Sequence, residues 1–333
     1  MQVIWAETGI EEISARRENM KRITVKDLRI HMFERPFRKL NMGDRKWVEK
    51  ACEEDAGIGM HVHFLSMLQS QEMFAFDIFR RKWGCVLKCP WADNGKLFVQ
   101  YPIGSSINRK KAVKEIEKLY SGGYKEFVFF AASDENLEEL RELYGDAIIN
   151  IEDKREYQDY ILDAKEQITL EGPQFSSRRN KIRRFQKLNN WSYEDITRDN
   201  MDECLEISSQ WYDNHERTQE TMGEELALRQ AFSLYDAFHF QGGILRVDGK
   251  AVAFHIGVPF NKEIYMCEFL KSRREYRDAP IVLLHEFMKR NCEGYRYINY
   301  SEDLGIEGLR LFKMNLHPKF MVPCYYVTIK MGD

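Results

Sequence analysis

From Ile23 onward the chain alternates between two patterns of apolar positions. In one, apolar residues recur every three or four places; in the other, they fill short runs or every second place. The first predicts amphipathic helices and the second strands. FRKLNMGDRKWVEKACEE reads as a short strand followed by a helix, and FLSMLQSQEMFAFDIFRRKW begins as a helix. GCVLKCPW and KLFVQYPIG read as a hairpin turning at Asp93-Asn94-Gly95. NRKKAVKEIEKLY is a helix with Ala112, Val113, Ile116 and Leu119 on its inner stripe. EFVFFAAS is a buried strand, DENLEELRELYG a helix ended by Gly145, and AIINIEDKREYQDYIL a strand and linker.

A second unit starts near Asp159. It reads as a helix, the strand SYEDI and the helices MDECLEISSQWYDN and GEELALRQAFSLYDAFHF. Three strands follow, GGILRVDGK, AVAFHIGVPF and EIYMCEFLK, the first turn falling at Asp248-Gly249-Lys250 and the second at Asn261-Lys262. The helix DAPIVLLHEFMKRN, the strand YRYINYSE, a helix in GIEGLRLFKMNLHP and a last strand, CYYVTIK, complete a mixed α/β unit. This order resembles that of acetyltransferases of the GNAT superfamily, and the first unit shows a looser version of it. The expected fold class is α/β (α+β): tandem GNAT-like acyltransferase domains, mixed sheets flanked by helices. The expected division is an N-terminal arm at 1–23, one GNAT-like domain at 24–158 and a second at 159–333.

Hydrophobic residues make up 44% of the 333, enough for two cores. Charged residues are 31%, but the net charge of −3 argues against a chain-wide nucleic-acid coat and leaves room for a local basic patch. No apolar run is long enough to cross a bilayer, and MQVIWAETGIEEISARR lacks the apolar centre of a secretory signal, so a cytoplasmic protein is expected. Seven scattered cysteines do not form a disulfide framework. Cys85 and Cys89, four residues apart on a strand, would stand about 13 Å apart. That is too far to share a zinc bound at about 2.3 Å from each sulfur. His61 and His63 would share one face if MHVHF is a strand, but no second ligand pair follows. No metal and no resident cofactor are expected.

Three stretches carry candidate chemistry. In FSSRRNKIRRFQKL, at about 100° per residue, Phe175, Ile182, Phe185 and Leu188 share one side. Arg179, Asn180, Arg183, Arg184 and Lys187 share the other. Arg178 falls toward the apolar side and needs an acidic partner or a ligand there. The cationic face suits phosphates or is an ordinary solvated face. In LKSRREYRDAPIVLLHEF, a backbone cradle for the pyrophosphate of acetyl-CoA would need a glycine where Arg277 stands, and Asp278 puts a carboxylate at the start of the helix. His285 reads as a structural histidine on the apolar edge of that helix. In SEDLGIEGLRLFKMNLHP, Leu309, Phe312 and Leu316 face inward while Asp303, Glu307 and Arg310 share a stripe with Lys313 beside it. Either acids pin Arg310, a Glu307–Arg310 pair being worth roughly 0.2–0.5 kcal/mol if exposed, or the stripe lines a substrate cleft.

YINYSEDLGIEGLRLFKMNLHP and FSSRRNKIRRF resemble the DUF2156 family, itself similar to the C-terminal domain of phosphatidylglycerol lysyltransferase. The likeness covers about residues 24–333, is strongest over 159–326 and rests on the Asp303-Leu304-Gly305-x-x-Gly308-Leu309-Arg310-x-x-Lys313 spacing. It implies the tandem GNAT-like fold, also seen in Fem-type peptidoglycan aminoacyltransferases. It also implies transfer of an aminoacyl group from aminoacyl-tRNA to a small-molecule or peptide amine, or to a hydroxyl acceptor. The expected roles are Asp303 as general base and Glu302, Glu307, Arg310, Lys313 and Asn299 on the substrate. Arg178, Arg179, Asn180, Arg183, Arg184 and Arg277 are expected on tRNA phosphates. Phe175-Ser176, Asp278 and Ser301 depart from the residues expected at those places. Two alternatives stay open: an acyl-CoA-dependent N-acyltransferase, and a non-catalytic ligand-binding protein on the same fold.

Overall fold

A computed structural model describes residues 38–332, apart from 74, 75, 81–83, 89, 121, 215 and 216. The expected arm at 1–23 and Cys89 lie outside the described residues. The chain forms two compact units. The first gathers the chain up to Asp159 with Glu302–Arg310 and Val322–Asp333; the second is Tyr160–Ser301 with Leu311–Met321.

The first unit is built on a five-stranded mixed sheet in the order Trp91–Asp93, Lys96–Gln100, Glu126–Ala132, Tyr325–Lys330, Ile148–Asp153. The hairpin turn at Asn94-Gly95 has both residues at positive φ, 47° and 76°, so that its twist matches the strands it joins. Val86–Lys88 is not part of that hairpin and pairs instead with Ile78–Arg80. The last strand is hydrogen-bonded on both edges inside this sheet, although the order of elements places it at the end of the second unit. The helices Ser106–Tyr120 and Asp134–Tyr144 bury Ala112, Val113, Ile116, Leu137 and Leu140 in its core. Ser133 caps the latter through Asn136, and Gly145 at φ 47° ends it. MHVHF is not a strand. Met60–Val62 is a 3₁₀ turn whose Met60 N–H donates to Asp159 Oδ2 at 2.6 Å, so alternation does not place His61 and His63 on one face.

The second unit is built on a seven-stranded sheet in the order Phe320–Val322, Asp159–Asp163, Tyr297–Asn299, Ile264–Ser272, Lys250–Pro259, Gln241–Val247, Trp191–Asp195. Asp159–Asp163, where the sequence ends a strand and linker and the second unit is expected to open on a helix, is a strand buried between neighbours on the sheet; a short helix, Ala164–Thr169, follows it. The meander turns at Asp248-Gly249, again with two positive φ values. Tyr297–Asn299 runs parallel to Ile264–Met266, and the crossover between them is the helix Ala279–Asn291. Ser176–Leu188 packs Phe175, Ile182 and Phe185 into the core beside this helix, but Leu188, the last helical residue, is 73% exposed. The chain leaves the helix there and carries Leu188 past the core edge.

Candidate functional site

The junction between Tyr297–Asn299 and the helix Glu307–Met314 carries most of the expected site. Ser301, Leu304 and Gly305 all take positive φ, between 53° and 75°. Two non-glycine residues in this region within four positions mark a backbone held by its surroundings. In the first unit, the Leu304 N–H donates to the Glu156 carbonyl at 2.9 Å and the Gly305 N–H to Asp303 Oδ1 at 2.9 Å. These bonds turn the chain and point the Asp303 carboxylate inward, where it is fully buried.

Asp303 holds two arginines. Arg310 grips it with both edges of its fork, Nε to Oδ2 at 2.9 Å and Nη2 to Oδ1 at 3.0 Å, and Arg155 Nη1 reaches Oδ2 at 3.1 Å. The two arginine side chains stay partly exposed, at 39% and 36%. The helix starts only at Glu307, so Asp303 is a turn residue rather than part of the helical stripe, and it is the carboxylate that takes the Arg310 fork. Glu307 is exposed at the helix start. Elsewhere in this unit, burial first, then the charges of Asp159, Glu302 and Glu156, push the Cys324 thiol up to about 12. Arg155, Glu156 and Asp159 were missed by the sequence reading. They lie in the charged run DKREYQD between two strands, where periodicity says nothing about which partner each will meet.

In the second unit, Lys313 is buried with Nζ over the rings of Tyr160 at 5.8 Å and Tyr300 at 5.6 Å. Asn299 is fully buried, and its Oδ1 accepts from the Ser301 N–H at 2.8 Å. The basic helix divides in three. Asn180, Lys181, Arg183, Arg184 and Lys187 are exposed. Ser176, Ser177, Asn180, Lys181 and Arg184 line a surface cavity of about 380 Å³. Arg179 is turned onto its own chain, donating to the carbonyls of Leu170 and Gly172. Arg178 is 6% exposed; its Nη1 donates to Gln167 Oε1 at 2.7 Å, and burial pushes the guanidinium down to about 10. No acidic side chain is hydrogen-bonded to it among the described residues. Arg184 pairs with Asp278 at the start of Ala279–Asn291, and Arg277 beside it is exposed. His285 Nε2 donates to the Ile168 carbonyl at 3.0 Å, as befits a structural histidine. Among the described residues no group of three or more His, Cys, Asp or Glu is placed to hold a metal ion, and no helix is long and apolar enough to cross a membrane.

Known structures share this architecture. A conserved protein of unknown function from Bacteroides thetaiotaomicron is 26% identical, with 89% of this chain and 99% of that one covered and a TM-score of 0.78. L-PGS from Bacillus licheniformis is 16% identical over 90% of this chain and 95% of that one, TM-score 0.60. FemX, 10% identical over 86% of this chain and 96% of that one, TM-score 0.52, shares the mixed α/β fold. No curated protein matches the sequence. The family model for the C-terminal part of phosphatidylglycerol lysyltransferase matches residues 85–328, most of the chain and all of the junction and basic helix. The chain therefore belongs to the phosphatidylglycerol lysyltransferase C-terminal (DUF2156) family.

Proposed function

We propose that this protein is an aminoacyltransferase that moves an aminoacyl group from aminoacyl-tRNA to an amine or hydroxyl acceptor in the cytoplasm. The observation that carries the reading is the junction cluster: a buried Asp303 that fixes Arg310 and Arg155, next to Glu302 in the chain and to Glu156, whose carbonyl takes the Leu304 N–H. An aminoacyl ester offers an ammonium group and a carbonyl. The ammonium suits the carboxylates; the carbonyl oxygen, negative in the tetrahedral intermediate, suits a fixed guanidinium. The acceptor attacks the carbonyl carbon, the new C–N or C–O bond forms, and the ester C–O bond to the ribose breaks. The acceptor proton ends on the ribose hydroxyl. Both oxygens of Asp303 already accept hydrogen bonds, so we give it a positioning role in place of the general-base role. Glu302 and Glu307 stand on the amine side in this reading, Arg310 on the oxyanion side, and Asn299 and Lys313 shape the junction in the second unit. Asp303→Asn keeps the shape and weakens the grip on both arginines; kcat is expected to fall tenfold or more. Unchanged turnover would remove Asp303 from the mechanism.

The exposed face of Ser176–Leu188 fits tRNA phosphates. The acyl-CoA alternative is disfavoured by Asp278, whose carboxylate stands with Arg184 at the helix start where a pyrophosphate would otherwise bind. The deciding experiment is tRNA binding by the full chain over a salt series. Affinity is expected to fall steeply with salt, and Arg183→Ala with Lys187→Ala to flatten the log–log slope by about one per lost phosphate contact. No binding at low salt sinks the tRNA donor. Binding without product for any charged tRNA leaves the non-catalytic alternative.

A further inference from the structure

In the second unit, Nε and Nη2 of Arg178, both ring nitrogens of His255 and Nδ1 of His285 are among the buried polar atoms with no hydrogen-bond partner among the described residues. Tyr300 stands beside one of them. Its ring lies 6.4 Å from that of His255, while the Arg178 guanidinium lies 5.6 Å from the Phe175 ring centroid. Native interiors seldom leave buried polar atoms unsatisfied, so each such group calls for an explanation.

The arginine shows what that is. Gln167 is fully buried, and its Nε2 donates to the Leu316 carbonyl at 2.7 Å, which fixes the amide and turns Oε1 toward Arg178. Arg178 Nη1 donates to that oxygen at 2.7 Å. The edge left over is Nε with Nη2, two parallel N–H donors spaced for the two oxygens of one anion. With the Phe175 ring 5.6 Å away and no carboxylate hydrogen-bonded to it among the described residues, a guanidinium this enclosed carries a desolvation cost that an anion on its free edge would offset.

We propose that the Nε–Nη2 edge of Arg178, held in place by Gln167, binds a single oxyanion, the carboxylate or phosphate group of a small ligand. A tRNA backbone, which needs an exposed cation, does not reach a side chain 6% exposed. This site is therefore distinct from the exposed face of the same helix, and the inference does not rest on the tRNA reading.

The test is thermal unfolding of the full chain in sodium phosphate and in sodium acetate, against sodium chloride at matched ionic strength. A saturable rise in Tm with an oxyanion and not with chloride is expected. Phosphate alone identifies a phosphate-bearing ligand, acetate alone a carboxylate, and both together a site that reads two oxygens. Arg178→Lys keeps the charge and loses the fork; the midpoint concentration is expected to rise at least tenfold. Arg183→Gln, on the exposed face, is expected to keep the oxyanion response while weakening tRNA binding, so the two readings fail separately. No oxyanion response in the wild type, or an unchanged midpoint in Arg178→Lys, overturns the proposal. If Arg178→Lys does not fold, Gln167→Leu keeps the guanidinium and frees its orientation. A several-fold rise in midpoint is then expected, and an unchanged one overturns the proposal equally.

Discussion

Arg109 organises the polar interior of the first unit. It is 1% exposed and reaches Asp55 Oδ2 at 3.1 Å, the Gly104 carbonyl at 2.7 Å and both oxygens of Glu139 at 2.6 and 3.2 Å. Burial opposes ionisation of Glu139, yet hydrogen bonds from Arg109 and Tyr101 hold its carboxyl below the usual range. Replacing Arg109 by Met strands two carboxylates inside the protein. The expected loss is about 3–5 kcal/mol, read by urea unfolding; a loss under about 1 kcal/mol would show that the acids find other partners. His255 sets a pH dependence. Burial pushes its imidazole down to about 3, against about 6.5 when unfolded, so the folded state holds it neutral. Between those values the unfolded chain binds the extra proton. The stabilising contribution is complete above pH 6.5 and is lost as pH falls toward 3, by about 2 kcal/mol at pH 5. His255→Phe is expected to flatten the decline in Tm between pH 7 and pH 5; an unchanged slope would assign it to other groups. Neither environment is visible in the sequence, where Arg109 sits in an ordinary basic run, NRKK, and His255 in an apolar strand.

The elements themselves were largely legible. Helical periodicity identified Ala112, Val113 and Ile116 as core, and the Asp248-Gly249 and Asn94-Gly95 turns followed from the need for positive φ. Periodicity fails at element ends. Leu188 has the right phase for the core, but the helix stops there, so Leu188→Ala is expected to change stability by less than about 0.5 kcal/mol; a larger loss in urea unfolding would mean that the side chain is covered. Irregularity within a strand is equally silent. Gly257 lies at a register shift between Lys250–Pro259 and Ile264–Ser272, and a Cβ there would stand 2.6 Å from the Met266 carbonyl oxygen. Backbone cannot step aside as a side chain can, so Gly257→Ala is expected to cost about 1–3 kcal/mol, measured as a fall in Tm.

At the scale of the whole molecule, chain order and unit membership separate. Tyr325–Lys330 is hydrogen-bonded between Glu126–Ala132 and Ile148–Asp153, so the first unit lacks an interior strand until the end of the chain is present. A fragment ending at Asp159 is expected to be unfolded by circular dichroism and proton NMR, whereas the full chain gives dispersed spectra; a folded fragment would show that the last strand is dispensable. The sequence by itself determined the mixed α/β class, the hairpin turns, the inner faces of the helices and the two motifs that carry the family likeness. Those features depend on residues near in the chain, whose spacing fixes which side chains share a face. Only the tertiary structure decided that Arg155 comes from far along the chain to share Asp303 with Arg310. It likewise decided that Arg109 gathers Asp55 and Glu139, and that the last strand closes the first sheet. Each of these depends on contacts between residues distant in sequence, and the strength of a charge pair is set by how much water surrounds it, which no spacing rule records.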